Sequence, residues 1–455
     1  MTEPACGMDA GADVVATGLV RVDGLPFLGS LLQIRRDALG FFSRMLREHG
    51  DRVQLRVLGR KVVLLCHPDD IEEVLVRGRD SFGRSAEIRR LRPIFGNGLL
   101  ASDGTVWRRQ RNMVQPSFQH NATTDYASIM LECISRQLSE WRIGEVRDIH
   151  ADMMRYTRET ICSVLFGSNF AANNLDITNA VSVVFGDLRA EILYLPIWRR
   201  LPFAPNIRWN RAVKLLNRSI RTIIWERRSR AKAGNDLLGS LLSAHDSGGS
   251  TMSDEQLHDE ILTLFLAGHE TAALSLTWAA YLIATHPEIQ EQAAEEVFTV
   301  TAGSDVRAEH YPHLSFVTAV VKEALRLYPP VWSLGRVATK DSALGNVPVV
   351  KGTDLWLCLH RLHRDPRWYP EPEQFRPERW LGNQAQRRFT YAPFGVGPRV
   401  CIGQHFAMAE TVLGLASMLR RFSFSPTSDV PAEVNAWISL RPRKSIELRL
   451  QQRNR

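Results

Sequence analysis

The chain has 455 residues, 44% of them hydrophobic and 23% charged, which is the ordinary balance of a folded protein with a large core. Its formal charge of +8 comes from basic residues scattered among acids, with no block that would serve as a nucleic-acid arm, so nucleic acid is not an expected partner. Six cysteines with no C-x-x-C pair, in a chain this long, exclude a disulfide-stapled module.

The opening stretch, MTEPACGMDAGADVVATGLVRVDGLPFLGS, has neither the charge cluster nor the continuous apolar run of a signal peptide or membrane anchor, so a cytoplasmic location is expected. Residues 39–49 carry an amphipathic helical pattern. VQLRVLGRKVVLLC at 53–66 then alternates as two strands turning at Leu58-Gly59-Arg60. From about 69 to 285 the periods are mostly helical, and HDSGGSTMS at 245–253 is expected as an exposed loop between helices.

The stretch 253–285 is the longest helix candidate, capped by Ser253, with Gln256 completing a capping-box pattern. Its apolar halves, 261–268 and 272–284, flank His269-Glu270-Thr271. Charge at mid-membrane is expensive, so the expectation is a buried central helix with one polar notch and no membrane span. Strand signals return at 347–359, turning at Lys351-Gly352, and at 437–450, where RPRK at 441–444 makes the turn. The expected fold is mainly α with small β-sheets. No linker or internal repeat is visible, so residues 1–455 are expected as one unit, with a strand-rich lobe at about 20–75 plus parts of 330–375.

Cys66, Cys162 and Cys358 sit in apolar runs and are expected as small core residues. Cys401 differs. It lies in YAPFGVGPRVCIG at 391–403, with Phe394, Gly397, Arg399 and Gly403 at set positions around it and a helix-like run after it. A thiolate is a soft anionic ligand that in a haem protein pushes electron density onto iron and favours O–O cleavage. A helix start supplies N–H groups and a positive dipole end near the sulfur. Gly397 permits the turn, Gly403 lets the helix approach a flat macrocycle, Arg399 can neutralise a carboxylate, and Phe394 can cover the sulfur.

This loop resembles the haem-binding signature of the cytochrome P-450 family, in the version found in its fatty-acid and microsomal-type hydroxylases. Further family elements follow the family's order along nearly the whole chain. Ala267-Gly268-His269-Glu270-Thr271 matches the A-G-x-[DE]-T element of the helix over the iron. There Ala267 and Gly268 would leave room for dioxygen and let the helix loosen, freeing the Thr271 hydroxyl from its backbone carbonyl, while Glu270 would relay protons from solvent. A structural reading stands beside it, with Thr271 kinking the helix and Glu270 pairing with a base.

The same resemblance makes Glu323 and Arg326, with Arg379, a buried structural triad, although spacing alone allows an exposed pair worth under ~1 kcal/mol. It makes Trp107, Arg111 and Arg336 holders of a haem propionate, and leaves His120, His363 and His405 without a role. Lining positions for a lipophilic substrate are expected near 88–100, 185–203, 264–271, 331–334 and 436–439, with a channel gate in the aromatic and arginine-rich stretch 194–209.

The resemblance therefore implies the P-450 fold, haem b with Cys401 as axial thiolate, and a monooxygenase that uses O2 to hydroxylate or epoxidise a terpene, fatty acyl or polyketide molecule. No flavin domain or ferredoxin-type cysteine spacing is present, so a separate ferredoxin or flavodoxin with its NAD(P)H reductase is expected to bring electrons. It would dock near Arg108, Arg109, Arg387 and Arg388 on a chain acting as a monomer without an integral membrane anchor. The rival readings are a peroxygenase or isomerase, against which Glu270-Thr271 argues, and a haem sensor without catalysis.

Overall fold

The computed structural model describes residues 12–15, 19–90, 92, 96–167, 177, 180, 183–184, 204–229, 234, 236–382 and 386–453. Strands β1 (Ala12–Val15) and β2 (Leu19–Val22) precede helix α1 (Ala38–His49), strands β3 (Arg52–Val57) and β4 (Arg60–Leu65), and β5 (Phe82–Arg84). A largely helical stretch contains α2 (Gly104–Val114), α3 (His120–Ser139), β6 (Val146–Asp148), α4 (Ile149–Phe166), α5 (Asp254–Ala284) and α6 (Ser315–Leu327). Strands β7 (Leu334–Ala338), β8 (Ser342–Leu344), β9 (Val347–Val349) and β10 (Asp354–Leu357) follow. The C-terminal part holds α7 (Gln404–Arg421), β11 (Phe422–Pro426), β12 (Val434–Ala436), β13 (Leu440–Pro442) and β14 (Glu447–Gln452).

The chain divides into two compact units. One comprises Met1–Ala86, Val331–Glu373 and Ala385–Val400; the other Glu87–Pro330, Gln374–Gln384 and Cys401–Arg455.

The first unit is built on a seven-stranded sheet of order β1-β2-β3-β4-β10-β7-β5. Its hairpin turns at Leu58 and Gly59, which take φ of 49° and 77°, the left-handed pair that matches the twist of two-residue hairpins. The stretch 347–359 turns at Gly352 (φ 87°), yet its strands go to different sheets: β9 pairs with β8, and β10 lies between β4 and β7. Pro348 in β9 has no N–H for a sheet interior, whereas Leu355 and Leu357 of β10 are fully buried at the centre.

The second unit is organised around α5, whose 31 residues span ~46 Å at 1.5 Å each. Ser253 caps it, accepting from the Gln256 N–H at 3.2 Å. The reciprocal half of the capping box is replaced, because Gln256 Oε1 instead accepts from Arg109 Nη1 at 2.8 Å. Leu257, Ile261, Ala273, Leu276, Trp278 and Ile283 are all fully buried, so α5 is a core helix. Among the described residues no helix is long and apolar enough to cross a membrane.

The C-terminal strands differ from expectation. Residues 441–444 do not turn between paired strands; β13 folds back on β12, while β14 joins β11 and β6. The cause is tertiary: Trp278 Nε1 of α5 donates to Leu440 O at 3.0 Å and draws β13 onto the helix, while Leu448 and Leu450 bury completely in the other sheet.

Candidate functional site

Helix α5 is buried over Ile261–Leu266 and again from Ala272 to Ala280, yet Ala267 between them is exposed, and Gly268 and Thr271 are half-buried. An exposed alanine in the middle of a core helix means that open space lies beside this turn. Thr271 shares Ala267's face, four residues on. Gly268 does not serve that space. A Cβ there would stand 3.3 Å from Ile161 Cδ1, so its role is close packing of α4, and Ala267 alone keeps the opening clear. The expected release of the Thr271 hydroxyl is also corrected. Its Oγ1 donates to Ala267 O at 2.9 Å, because the helix is unbroken there and leaves the i−4 carbonyl within reach. The free lone pairs of that oxygen can still accept.

Glu270 points elsewhere, toward the β13 side. It is 5% exposed, and its Oε1 accepts from Ser439 Oγ at 2.6 Å and Arg441 Nε at 2.5 Å. Burial acts to raise its pKa, but the Arg441 hydrogen bond and charge, then Ser439, outweigh it and hold the carboxyl below its ordinary value. Glu270 is therefore ionised at neutral pH. Its link outward runs through Arg441, whose side chain is 21% exposed. His269, wholly enclosed beside it, is pushed down to about 4 by burial and stays neutral.

Of the five described cysteines, Cys66, Cys133, Cys162 and Cys358 are buried and Cys401 is exposed. The Cys401 side chain is accessible, yet protein atoms ring it closely enough that loss of solvation raises its pKa. The Gly403 N–H bonded to the sulfur, and the Arg111 guanidinium, lower it by less. The helix start thus supplies a hydrogen bond to sulfur but does not by itself keep it ionised; a coordinated metal would, since a coordinating thiol gives up its proton. Immediately beyond, α7 begins, with Ala407 N donating to Gly403 O at 2.8 Å. A Cβ on Gly403 would meet nothing nearer than Phe118 Cδ1 at 4.0 Å, so this glycine also faces open space.

Trp107 and Arg111 stand four apart on α2, the first buried and the second half-buried. Arg111 is held by Gln115 Oε1 at 3.1 Å and lies close enough to Cys401 to interact with its charge. An accessible thiol, a cation beside it and open space at both Ala267 and Gly403 fit a cysteine-bound haem.

The first unit carries the earlier part of the cysteine loop. Gly397 has φ 77°, and a Cβ on it would come within 2.3 Å of Leu75 O, so only glycine allows this approach. Phe394 and Arg399 are half-buried. Arg336 on β7 is 7% exposed, with Nη1 on Gly335 O at 2.8 Å. His363, left as an ordinary histidine from the sequence, is fully buried, and its Nε2 accepts from Ala392 N at 3.0 Å, which anchors the start of the loop. Nothing local in the sequence signals that contact, which joins residues 29 apart.

Glu323 and Arg326 on α6 are both wholly buried and paired through two 2.8 Å hydrogen bonds. Arg379 Nε (3.1 Å), Arg376 N (3.0 Å) and Trp380 Nε1 (2.9 Å) complete the shell around Glu323. A buried ion pair is tolerable only when its remaining hydrogen bonds are made, and here they are. Trp380 was not singled out in the sequence.

Of the expected substrate-lining segments, 185–203 lies outside the described residues, as does most of the 194–209 gate; Trp209 is buried. Of the four arginines expected at a docking face, Arg109 pairs with Asp246 at 2.6 Å, Arg387 with Asp69 at 2.6 Å, and Arg388 lies over the Phe389 ring.

The cytochrome P450 family model matches residues 21–450. The chain is 35% identical to Cyclooctatin synthase of Streptomyces melanosporofaciens over 93% of its own length and 92% of that protein's. It is 31% identical to Pentalenene oxygenase of Streptomyces avermitilis, covering 89% of this chain and 91% of the relative. Cyclooctat-9-en-7-ol 5-monooxygenase of Streptomyces melanosporofaciens is 32% identical over 88% of each chain. Among solved structures, the cytochrome P450DA heme domain superposes with a TM-score of 0.86 at 25% identity, covering 95% of this chain and 98% of that one. A haem-thiolate oxidoreductase that takes electrons from a redox partner and acts on lipophilic molecules is what the family implies, and the chain belongs to the cytochrome P450 family.

Proposed function

We propose that residues 1–455 act as one monomeric catalytic domain that hydroxylates or epoxidises a terpene-type molecule at haem b. A separate ferredoxin or flavodoxin and its NAD(P)H reductase deliver the electrons. The observation that carries the reading is the accessible Cys401 thiol beside Arg111, at the start of α7. The substrate class rests on relatives whose names specify pentalenene, an alkene, and cyclooctat-9-en-7-ol, an unsaturated alcohol. A fatty acyl chain or a polyketide is the alternative ligand.

When bound, the haem supplies the oxidant that places one atom of O2 in a C–H or C=C bond, the other atom leaving as water with two electrons and two protons consumed. The protein's part is to hold and to proton-couple. Cys401 provides the thiolate and Gly403 N–H steadies it. In the unit that holds Cys401, Arg111 and Trp107 on α2 are the groups suited to a haem carboxylate. Ala267 keeps its turn open; Thr271 Oγ1 donates to Ala267 O and keeps lone pairs that can accept a hydrogen bond there. Glu270, ionised and fixed by Arg441 and Ser439, can take a proton arriving from the exposed side of Arg441 and pass it on.

The test is spectral and catalytic. Haem-loaded protein, reduced under carbon monoxide, should give a thiolate-type spectrum that Cys401→His abolishes; persistence of that spectrum in the variant overturns the ligand. Titration with terpene hydrocarbons, terpene alcohols and fatty acids should change the haem spin state most for the terpenes. Turnover should need reductant and O2, and product formed from peroxide alone would move the assignment to a peroxygenase.

A further inference from the structure

The loop after residue 95 is fastened to α5 by two consecutive acids that the reaction outlined above does not use. Asp259 Oδ2 accepts from Asn97 N at 2.7 Å, and Glu260 Oε2 accepts from Leu99 N at 2.9 Å. From the other side, Gln110 of α2 donates to Asn97 O at 2.7 Å and accepts from Ser102 Oγ at 2.5 Å. The fit is close. Gly96 takes φ 57°, and a Cβ on it would fall 2.0 Å from the Asp259 carboxylate; a Cβ on Gly98 would fall 2.3 Å from Thr263 Oγ1 and 2.6 Å from Asp259 O. Thr263 is four residues before Ala267 and so on the same face, which puts Gly98 only ~6 Å along the axis from the open turn.

Glu260 is an unusual group for such a task. It is 0% exposed, with one oxygen taken by Leu99 and the other, Oε1, buried without a hydrogen-bond partner; Thr263 Oγ1, 4% exposed in its residue, is buried without one too. Burial pushes the Glu260 carboxyl up to about 7, more than the Leu99 N–H lowers it, with Asp259 adding to the rise. A hydrophobic residue could pack here at lower cost, so the carboxyl is there for what it holds.

We propose that Asp259, Glu260 and Gln110 form a clamp that fixes the 96–102 loop between α2 and α5, and that this clamp sets which ligand shapes reach the open turn at Ala267. They are positioning residues and act on specificity through the loop. Releasing the loop by even its own thickness enlarges the space beside Ala267 and favours bulkier ligands over small ones. The inference rests on the haem-thiolate reading only for its ligand assay.

The test uses haem-loaded full-length protein and the variants Glu260→Ala, Glu260→Gln and Asp259→Ala. Hydrogen–deuterium exchange is read at the Asn97 and Leu99 amides. Imidazole and 4-phenylimidazole are titrated against the haem band. Glu260→Ala should speed exchange at Leu99 roughly tenfold, as loss of one hydrogen bond to a buried group implies. It should also shift the affinity ratio of the two azoles several-fold toward 4-phenylimidazole. Glu260→Gln, which keeps an acceptor for Leu99, should restore both. If Glu260→Ala does not load haem, Asp259→Ala, at a side chain 15% exposed, is read at Asn97 with the same two measurements. Unchanged exchange and an unchanged azole ratio in the variant read overturn the clamp, as does a Gln variant that behaves like Ala. A wild type that binds neither azole would instead overturn the haem reading and leave the exchange result to decide the clamp.

Discussion

The Glu270–Arg441 pair allows a quantitative prediction. In Arg441→Met the methionine retains most of the stem volume, but Glu270 loses its largest favourable partner while remaining 5% exposed. Breaking a buried pair by removing one member costs ~3–5 kcal/mol. Arg441 is itself 21% exposed, and Ser439 stays bonded at 2.6 Å, so the expected loss at pH 7 is smaller, ~2 kcal/mol.

The pH dependence has a definite sign. In the wild type the Glu270 pKa is depressed, so its stabilisation is present above the ordinary carboxyl value and is lost as pH falls through the folded value. In the variant, burial is left nearly unopposed and the pKa rises above the ordinary value, so protonation relieves the strain as pH falls. The deficit should therefore be largest at pH 7 and above, and shrink toward pH 4. Urea unfolding of the haem-loaded proteins at pH 4.5 and pH 7.5, with Glu270→Gln and the double variant completing a cycle, measures the coupling. A loss under ~0.5 kcal/mol at pH 7.5, or an equal loss at both pH values, would refute the argument.

Glu323→Gln should lower stability by ~3 kcal/mol and reduce the haem-to-protein ratio after purification, because Arg326 would be left buried with its charge uncompensated; absorbance of the haem band against total protein reports it. Gly403→Val should leave α7 intact by circular dichroism yet block haem uptake, since the added side chain enters open space at an ordinary φ of −91°. Gly397→Ala should behave oppositely, destabilising the protein by ~2 kcal/mol or more in chemical unfolding, as it combines a left-handed φ of 77° with a 2.3 Å approach to Leu75 O. Thr271→Ala should change stability by under ~1 kcal/mol, the worth of its single bond to Ala267 O, while the ratio of product formed to reductant consumed falls several-fold.

Much of this was legible in the sequence because it is local. The bounds of α5 followed from a periodic apolar pattern and a serine cap, and the Leu58–Gly59 hairpin from alternation around a turn. The segment around Cys401 stands out in the sequence because Phe394, Gly397, Arg399 and Gly403 lie within a few positions of it along the chain. The apolar setting of Cys66, Cys162 and Cys358 likewise foretold their burial.

What the tertiary structure decided is which distant groups meet and how much water reaches them. The sequence singled out Glu270, but only the return of β13 onto α5 places Arg441, 171 residues later, against its carboxylate. Nothing in the sequence marks Glu260, and only the fold brings the loop at Leu99, 161 residues earlier, onto its carboxylate. The same limit misassigned the turn at 441–444, and it hid the buried histidine contact that anchors the cysteine loop. Periodicity and spacing encode contacts across a turn or a strand pair. Long-range pairing and desolvation, which lower the Glu270 pKa and raise those of Glu260 and Cys401, exist only once the chain has closed in three dimensions.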